Sequence, residues 1–213
     1  MISDAADVLI ILFSFAAFAF LHSFLASNKI KKILAEQYER RVAFYRLIYN
    51  LISLFTFYLL YESVPHPILI IYDLPYPFDF IVLVPQFLGI AGIIWSLRYF
   101  DVREFLGINQ VFRLLNKEYD PSELDEKLTL QIKGPYKICR HPVYFFSIIF
   151  LMFRAEMDLF YLTFLVAIII YFYVGSFYEE RKLVEKFGEE YLQYQNSVPR
   201  IIPLIFLNKN SGS

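Results

Sequence analysis

The sequence predicts an all-α integral membrane protein with about five membrane-spanning helices, the last two forming a tight hairpin. Three observations predict it. Of 213 residues, 58% are hydrophobic and 20% aromatic, while the charged share of 19% lies below the roughly 25% of ordinary soluble domains. The apolar residues gather into blocks at 8–21, 47–61, 80–97, 143–153 and 159–178, several near the roughly 20 residues that cross a hydrocarbon core as a helix. The basic residues are also segregated. Six Lys/Arg lie between the first and second blocks, eight between the third and fourth, five after the fifth, and only Arg154 on the other side. The positive-inside rule then places the N-terminus outside and the C-terminus in the cytoplasm.

Each element follows in order. The first span, about 5–27, is read as a retained helix, because Asp4 and Asp7 stand where a cleavable signal would be basic. Asn50 in the second span is expected to hydrogen-bond another helix. Residues 62–79, with four prolines and two tyrosines, read as an outer interfacial loop, and His66 as a residue of that loop. In the connector 101–140, Phe105, Leu106, Val111, Phe112, Leu114 and Leu115 alternate with charges, which suits a helix lying on a membrane surface. Asp120-Pro121 reads as a helix start. The fourth span, roughly 14 residues, would need tilt or local thinning to cross, and 154–158 leaves little chain to join it to the fifth. The chain thus divides into an N-terminal three-helix membrane region (1–100), a cytoplasmic amphipathic connector that begins the chemical motif (101–141), and a helical hairpin with a C-terminal segment (142–207). The terminal Asn-Lys-Asn-Ser-Gly-Ser is left out of this reading.

Several classes of function are excluded or disfavoured. A net charge of −1 and the lack of a basic-aromatic run argue against nucleic acid. One cysteine, Cys139, excludes an internal disulfide and a multi-cysteine metal site. His22, His66 and His141 lack metal-ligand spacing, so no metal is expected. No span centre carries a charge pair and no inverted repeat is visible, which disfavours a transporter.

Two patches carry the chemistry. In the run Gly134-Pro135-Tyr136-Lys137-Ile138-Cys139-Arg140-His141-Pro142-Val143-Tyr144, Pro142 suits the first helical position. Unpaired backbone N–H groups would then lie around His141 and Tyr144, with Arg140 beside them, a natural receptor for a carboxylate or phosphate. An ordinary membrane-entry cap with a snorkelling arginine fits the same residues. Glu179 and Glu180 form the second patch. Glu180 shares a helix face with Leu183, Val184, Phe187 and Tyr191, an expensive place for a carboxylate unless a cation meets it; the other reading is that both glutamates snorkel to water. The hairpin brings the two patches to one membrane face, where an anion receptor beside a cation receptor suits a zwitterion.

Here the sequence resembles a known family. The pattern G-P-Y-x-x-x-R-H-P-x-Y, then the glutamate pair, then L-x-x-x-F-G-x-x-Y-x-x-Y-x-x-x-V-P-R-x-x-P is similar to the integral membrane S-adenosylmethionine-dependent methyltransferases. These include isoprenylcysteine carboxyl methyltransferases and phosphatidylethanolamine N-methyltransferases. The match runs over residues 128–203. It implies S-adenosyl-L-methionine as cofactor, with Leu128, Thr129, Leu130, Gln131 and Tyr136 lining it, His141, Pro142, Val143 and Tyr144 as the H-P-x-Y contact, and Glu179 and Glu180 near its methionyl end. Arg140 joins this set from the charge argument. No G-x-G-x-x-G follows a strand, so a Rossmann-type cofactor site is absent.

A departure and a second resemblance bear on the acceptor. The isoprenylcysteine enzymes are expected to carry an arginine one turn before the acidic pair, where this chain has Gly175. The N-terminal pieces Leu21-His22-Ser23-Phe24-Leu25-Ala26-Ser27, Tyr45-Arg46-Leu47-Ile48-Tyr49-Asn50 and Asp101-Val102-Arg103-Glu104-Phe105-Leu106-Gly107 resemble the bacterial methanethiol S-methyltransferase branch. The resemblance therefore implies S-methylation of a small or lipophilic thiol arriving from the bilayer, at a cytoplasmic active site. A base or cation near the thiol would help; His22 and Arg200, with His141, are the candidates by residue type. The alternatives are carboxyl methylation of an isoprenylcysteine, N-methylation of a phospholipid, or a non-catalytic membrane protein that keeps the fold. Cys139 is expected to be incidental.

Overall fold

The computed structural model describes residues 2–121 and 129–203. The helices in chain order are α1 (Ile2–Leu25), α2 (Asn28–Tyr38), a 3-10 turn (Glu39–Phe44) and α3 (Tyr45–Ser63). Strand β1 (Ile70–Asp73) precedes α4 (Phe78–Ile81), α5 (Leu83–Leu97), α6 (Val102–Leu106) and α7 (Ile108–Leu115). A 3-10 turn (Gly134–Lys137) leads to α8 (Pro142–Met152), β2 (Glu156–Asp158), α9 (Leu159–Phe187) and α10 (Glu189–Ser197). The protein is an all-α, multi-pass integral membrane protein. Among the described residues, four helical stretches, Ser3–Leu25, Asn28–Ser63, Phe78–Leu97 and Leu159–Phe187, are long and apolar enough to cross a membrane. Leu128 and the C-terminal residues from 204 onward lie outside the described residues, and the helix start expected at Asp120-Pro121 runs into that undescribed stretch.

The contacts gather into two units. One holds residues 1–69 and 101–128, the other 70–100 and 129–213. In the first, the three short N-terminal motifs bind one another. The rings of His22 and Tyr49 meet through Nε2 and the hydroxyl at 2.7 Å, and His22 Nδ1 lies 3.0 Å from Ser53 Oγ. The Tyr45 hydroxyl donates to the Leu25 carbonyl at 2.5 Å. Arg46 and Asn50 both donate to the Phe105 carbonyl, at 2.8 and 3.1 Å, so Asn50 is the interhelical partner its position suggested. Gly107 has φ 87°, and a Cβ there would sit 2.6 Å from the Leu47 nitrogen. Its lack of a side chain allows both the left-handed turn and the approach of α6 to α3. Asp101 caps α6 by accepting from the Glu104 N–H at 2.9 Å. Buried Glu104 takes both guanidinium arms of Arg113 at 2.9 Å, so the polar side of the connector is cross-linked while Phe112 and Leu115 stay exposed.

The second unit is built on α5 and α8, which run antiparallel. Gly92 lies under the Phe146 ring. A Cβ on Gly89 would meet the Phe150 backbone nitrogen at 2.9 Å and the Phe146 carbonyl at 3.0 Å. Small residues at such a seam let backbones close up where lipid offers no hydrophobic drive for association. Tyr99, just past the end of α5, packs against Gly134, so residues 134–152 retrace α5 from its C-terminal to its N-terminal end.

The expected fourth span is accordingly shorter in helix than roughly 14 residues. The helix of α8 has 11 residues, about 16 Å at 1.5 Å per residue, because Phe153 turns out into an extended chain. That chain is strand β2. It pairs antiparallel with β1, Ile70 opposite Asp158, Tyr72 opposite Met157 and Asp73 opposite Glu156. The loop 62–79 thus contains a strand that its proline-rich sequence does not announce. The small sheet puts the entry to α5 and the α8–α9 connection at one end of this unit. Asp158 then starts α9 by accepting from the Tyr161 N–H at 2.7 Å, and α9 runs past the apolar block to Phe187, where Gly188 at φ 56° ends it.

Candidate functional site

The site forms where α8 begins, beside the last third of α9. Pro142 is the first residue of α8 and His141 its N-cap. The first intrahelical bond is Phe145 N–H to the His141 carbonyl at 3.1 Å, so the Val143 and Tyr144 N–H groups belong to the unpaired first turn. A strap of the C-terminal segment fixes this corner: the N–H groups of Arg140 and His141 donate to the Pro199 and Arg200 carbonyls, each at 2.9 Å.

Glu179 and Glu180 are sequence neighbours with opposite surroundings. The Glu180 side chain is 3% exposed, and its carboxylate accepts from Arg140 Nε at 2.7 Å and Nη2 at 3.2 Å, Gln195 Nε2 at 2.9 Å and Arg200 Nη2 at 3.0 Å. His141 Nε2 lies 3.1 Å from the same carboxylate. Arg140 and Arg200 are the cations that a buried carboxylate requires, so Glu180 does not snorkel. Arg140 directs Nη1 to the Gln195 and Val198 carbonyls at 2.8 and 2.5 Å, which neutralises the C-terminal end of α10. The anion receptor expected at Arg140 is therefore already filled, by Glu180, and Glu180 as cation receptor is filled by Arg140 and Arg200.

Glu179 is 47% exposed in its side chain. Its Oε2 accepts from the Tyr144 hydroxyl at 3.0 Å, and His141 Nδ1 lies 3.5 Å away. His141, Tyr144 and Phe172 stack in a column, with centroids 5.2 and 4.5 Å apart and planes within 5° and 6°. Burial pulls the His141 pKa down, but hydrogen bonds and charges from Glu179 and Glu180 outweigh it and raise it above its ordinary value. Burial, with the charges of Glu179 and Cys139 added, pushes the Tyr136 hydroxyl up to about 12. Burial likewise pushes the Cys139 thiol up to about 12, which leaves it an inert packing group.

The structure brings together Tyr136, Arg140, His141, Pro142, Val143, Tyr144, Glu179, Glu180 and Arg200. The Arg200 guanidinium lies 3.5 Å over the Phe177 ring while it bonds Glu180. Thr129, Leu130 and Gln131 lie ahead of the 3-10 turn without regular secondary structure, with Gln131 Nε2 donating to Thr129 Oγ1 at 3.3 Å. Leu128 lies outside the described residues. His22 belongs to the other unit, in the cluster with Tyr49 and Ser53. Sequence reasoning missed Gln195, whose partners are visible only in three dimensions, and Phe177, which reads as an ordinary span residue. Tyr191 and Tyr194 stood in the motif without a role. Both are buried, and the Tyr194 hydroxyl donates to the Tyr136 carbonyl at 2.6 Å.

Among the described residues, no group of three or more His, Cys, Asp or Glu could hold a metal ion. No family model matches the chain, and no solved structure does. Curated proteins do. The chain is 29% identical over 207 residues, 94% of its length and 68% of the relative's, to methanethiol S-methyltransferase 1 of Bradyrhizobium diazoefficiens. It is 40% identical over 78 residues, 37% of the chain and 29% of the relative, to the methanethiol S-methyltransferase of Pseudomonas deceptionensis. It is 33% identical over 128 residues, 59% and 43%, to the methanethiol S-methyltransferase of Crocosphaera subtropica. In these two relatives the match spans less than half of the relative's length.

Proposed function

We propose, from the resemblance of this chain to the methanethiol S-methyltransferase branch of the membrane methyltransferases, that it is an S-adenosylmethionine-dependent enzyme that methylates the sulfur of a small or lipophilic thiol. One observation carries the site assignment. Of two adjacent carboxylates, one is locked by four side chains and the other is half exposed beside an unpaired helix start. The residues fit the proposed cofactor. Glu179 offers a carboxylate to the cationic parts of the methionyl group, and the first-turn N–H groups of α8 offer donors to its carboxylate. Tyr144 and Phe172 present ring faces and edges to the apolar parts.

Bound there, the cofactor would supply an electrophilic methyl group, whose bond to the sulfonium sulfur breaks as the acceptor thiolate forms its C–S bond, giving a methyl thioether and S-adenosylhomocysteine while the thiol proton passes to solvent. The chain's own residues do the rest. Glu180 holds Arg140, His141 and Arg200 in fixed positions, so that no reorganisation is needed during reaction. Tyr144 and His141 aim the Glu179 carboxylate. The apolar flanks of α8 and α9 exclude water from the reacting sulfur. Arg200 and the imidazolium of His141 supply the positive field that favours a thiolate. The N-terminus is proposed outside and the site, with the C-terminus, on the cytoplasmic side; residues 142–207 are the proposed methyltransferase hairpin and cofactor-binding segment.

The test offers purified protein methyl-labelled S-adenosylmethionine with methanethiol or a longer alkyl thiol, a prenylated cysteine, and phosphatidylethanolamine. Label is expected in the thioether, at a rate that rises with pH as thiolate forms. Label in the prenylcysteine ester or the phospholipid, with none in any thioether, would transfer the assignment to one of those chemistries. No transfer and no cofactor binding would leave a non-catalytic membrane protein.

A further inference from the structure

Two arginines meet Glu180, and only one of them is saturated. All three guanidinium nitrogens of Arg140 are engaged: Nε and Nη2 with Glu180, and Nη1 with the Gln195 and Val198 carbonyls. Arg200 gives Nη2 to Glu180 at 3.0 Å. Its Nε and Nη1 meet no acceptor among the described residues. The Arg140 side chain is 8% exposed and that of Arg200 23%, so the open donors lie within reach of a ligand.

Charge points the same way. Arg140 pairs with Glu180, and His141 has the Glu179 carboxylate 3.5 Å away as a second pair. Arg200 shares an anion that Arg140 already neutralises, and among the described residues it has no other within ion-pair distance. A surplus positive charge at the end of a membrane span is costly until an anion meets it.

The neighbours of Arg200 are apolar and separate from those given to the cofactor. Tyr173 and Phe177 stand one turn apart on the stripe of α9 that leads to Glu180, their rings edge to face at 5.1 Å. The guanidinium lies 3.5 Å from the Phe177 centroid and 6.0 Å from that of Tyr173, and both rings are exposed. The cofactor residues Phe172 and Glu179 lie about 100° round the helix. Gly175, between those two, adds no polar group and touches nothing, since no described atom lies within 4 Å of a Cβ built there. Displacement at a methyl carbon requires nucleophile and leaving group on opposite sides of it, so the acceptor needs contacts of its own. An apolar flank ending on a cation suits an alkyl thiolate.

We propose that Arg200 is a catalytic residue that binds the acceptor sulfur as thiolate through its open Nε and Nη1 donors, while Tyr173 and Phe177 flank the acceptor's alkyl group. The thiol proton leaves to solvent as the sulfur meets the guanidinium. A sulfur electron pair then forms the new C–S bond as the bond from methyl to sulfonium breaks. This rests on the thiol methyltransferase reading above.

The test compares wild type, Arg200→Gln, Arg200→Lys and Tyr173→Ala. Each is titrated calorimetrically with S-adenosylmethionine and assayed for kcat/KM with methanethiol and a longer straight-chain thiol, from neutral to alkaline pH. Arg200→Gln is expected to lower kcat/KM for methanethiol about a hundredfold at neutral pH, the usual effect of losing one donor to a reacting anion, with cofactor affinity unchanged. The deficit should shrink as pH rises, because the thiol then ionises unaided. Arg200→Lys, which keeps the charge, should recover part of the rate. Tyr173→Ala should lower kcat/KM for the longer thiol about tenfold relative to methanethiol. A deficit equal at every pH, or one accounted for by lost cofactor affinity, would make Arg200 a support for Glu180 and overturn the proposal. Wild-type rates in Arg200→Gln would overturn it too. Should that variant not fold, Tyr173→Ala, at an exposed position, still decides: an unchanged ratio between the two thiols overturns the proposal. All these outcomes leave thiol methylation standing, whereas absence of thiol turnover in wild type would overturn both.

Discussion

Glu179 and Glu180 differ by one position and about 100° around a helix, and that rotation separates a half-exposed carboxylate from a buried and fully paired one. Replacing Glu180 with alanine would leave the nearly buried Arg140 and the partly buried Arg200 without the anion they share. Removing one partner of a buried ion pair usually costs about 3–5 kcal/mol, so Glu180→Ala should lower the unfolding midpoint in detergent by many degrees. Glu179→Gln, half exposed, should unfold like wild type but bind S-adenosylmethionine about tenfold or more weakly, roughly the worth of one charge-assisted contact. Equal stability in the two variants would contradict this division. His141 adds a pH dependence. Its folded pKa lies above the ordinary 6.5, so its contribution to stability is complete below that value and is lost as pH rises through the folded pKa. Its imidazole resonances should titrate above pH 6.5 in wild type, and at lower pH in Glu179→Gln. The pair was legible in the sequence because a carboxylate on an apolar stripe, Glu180, with a second one beside it, demands an explanation. Which of them is accessible was not, since that depends on Gln195 and Arg200, which only the fold of α10 and the strap brings to Glu180.

At the level of elements, the apolar blocks located the long helices well because length and hydropathy are properties of the chain alone. What escaped was set by partners. Strand β1 needs β2, some 85 residues later, to satisfy its backbone groups, and no local pattern records that debt to a distant segment. The ends of α8 were likewise set from outside, by Pro142 at one end and by the sheet's claim on the chain after Phe153 at the other. The α5–α8 seam is a sharper test of the architecture than either end. A side chain at Gly89 would press on the Phe150 backbone, which cannot rotate away as a ring can. Gly89→Ala should therefore destabilise the protein by about 1–3 kcal/mol, whereas Gly175→Ala should not. Thermal unfolding of the two variants side by side would show the contrast, and a neutral Gly89→Ala would mean that the seam is looser than described.

For the whole molecule, 19 of 20 Lys and Arg residues fall on one side of the proposed five-span topology, the bias behind the proposed orientation with the N-terminus outside. A cysteine introduced at His66 in a Cys139→Ala background should react with an impermeant reagent in intact cells, and one at Lys186 only after lysis; the reverse pattern would invert the orientation. Both units are discontinuous in the chain, each interrupted by a piece of the other. Birth of the protein on the ribosome must respect that order. The unit containing His22 has all its segments once synthesis passes residue 128. By then α5 has been made but lacks α8, so Gly89 and Gly92 form a groove without its ridge. At about 5–20 residues per second, several more seconds pass before β2 emerges to meet β1. During that interval the insertion machinery or a chaperone has to shelter a helix whose partner does not yet exist, and a nascent chain stalled there would offer quality control its most exposed target.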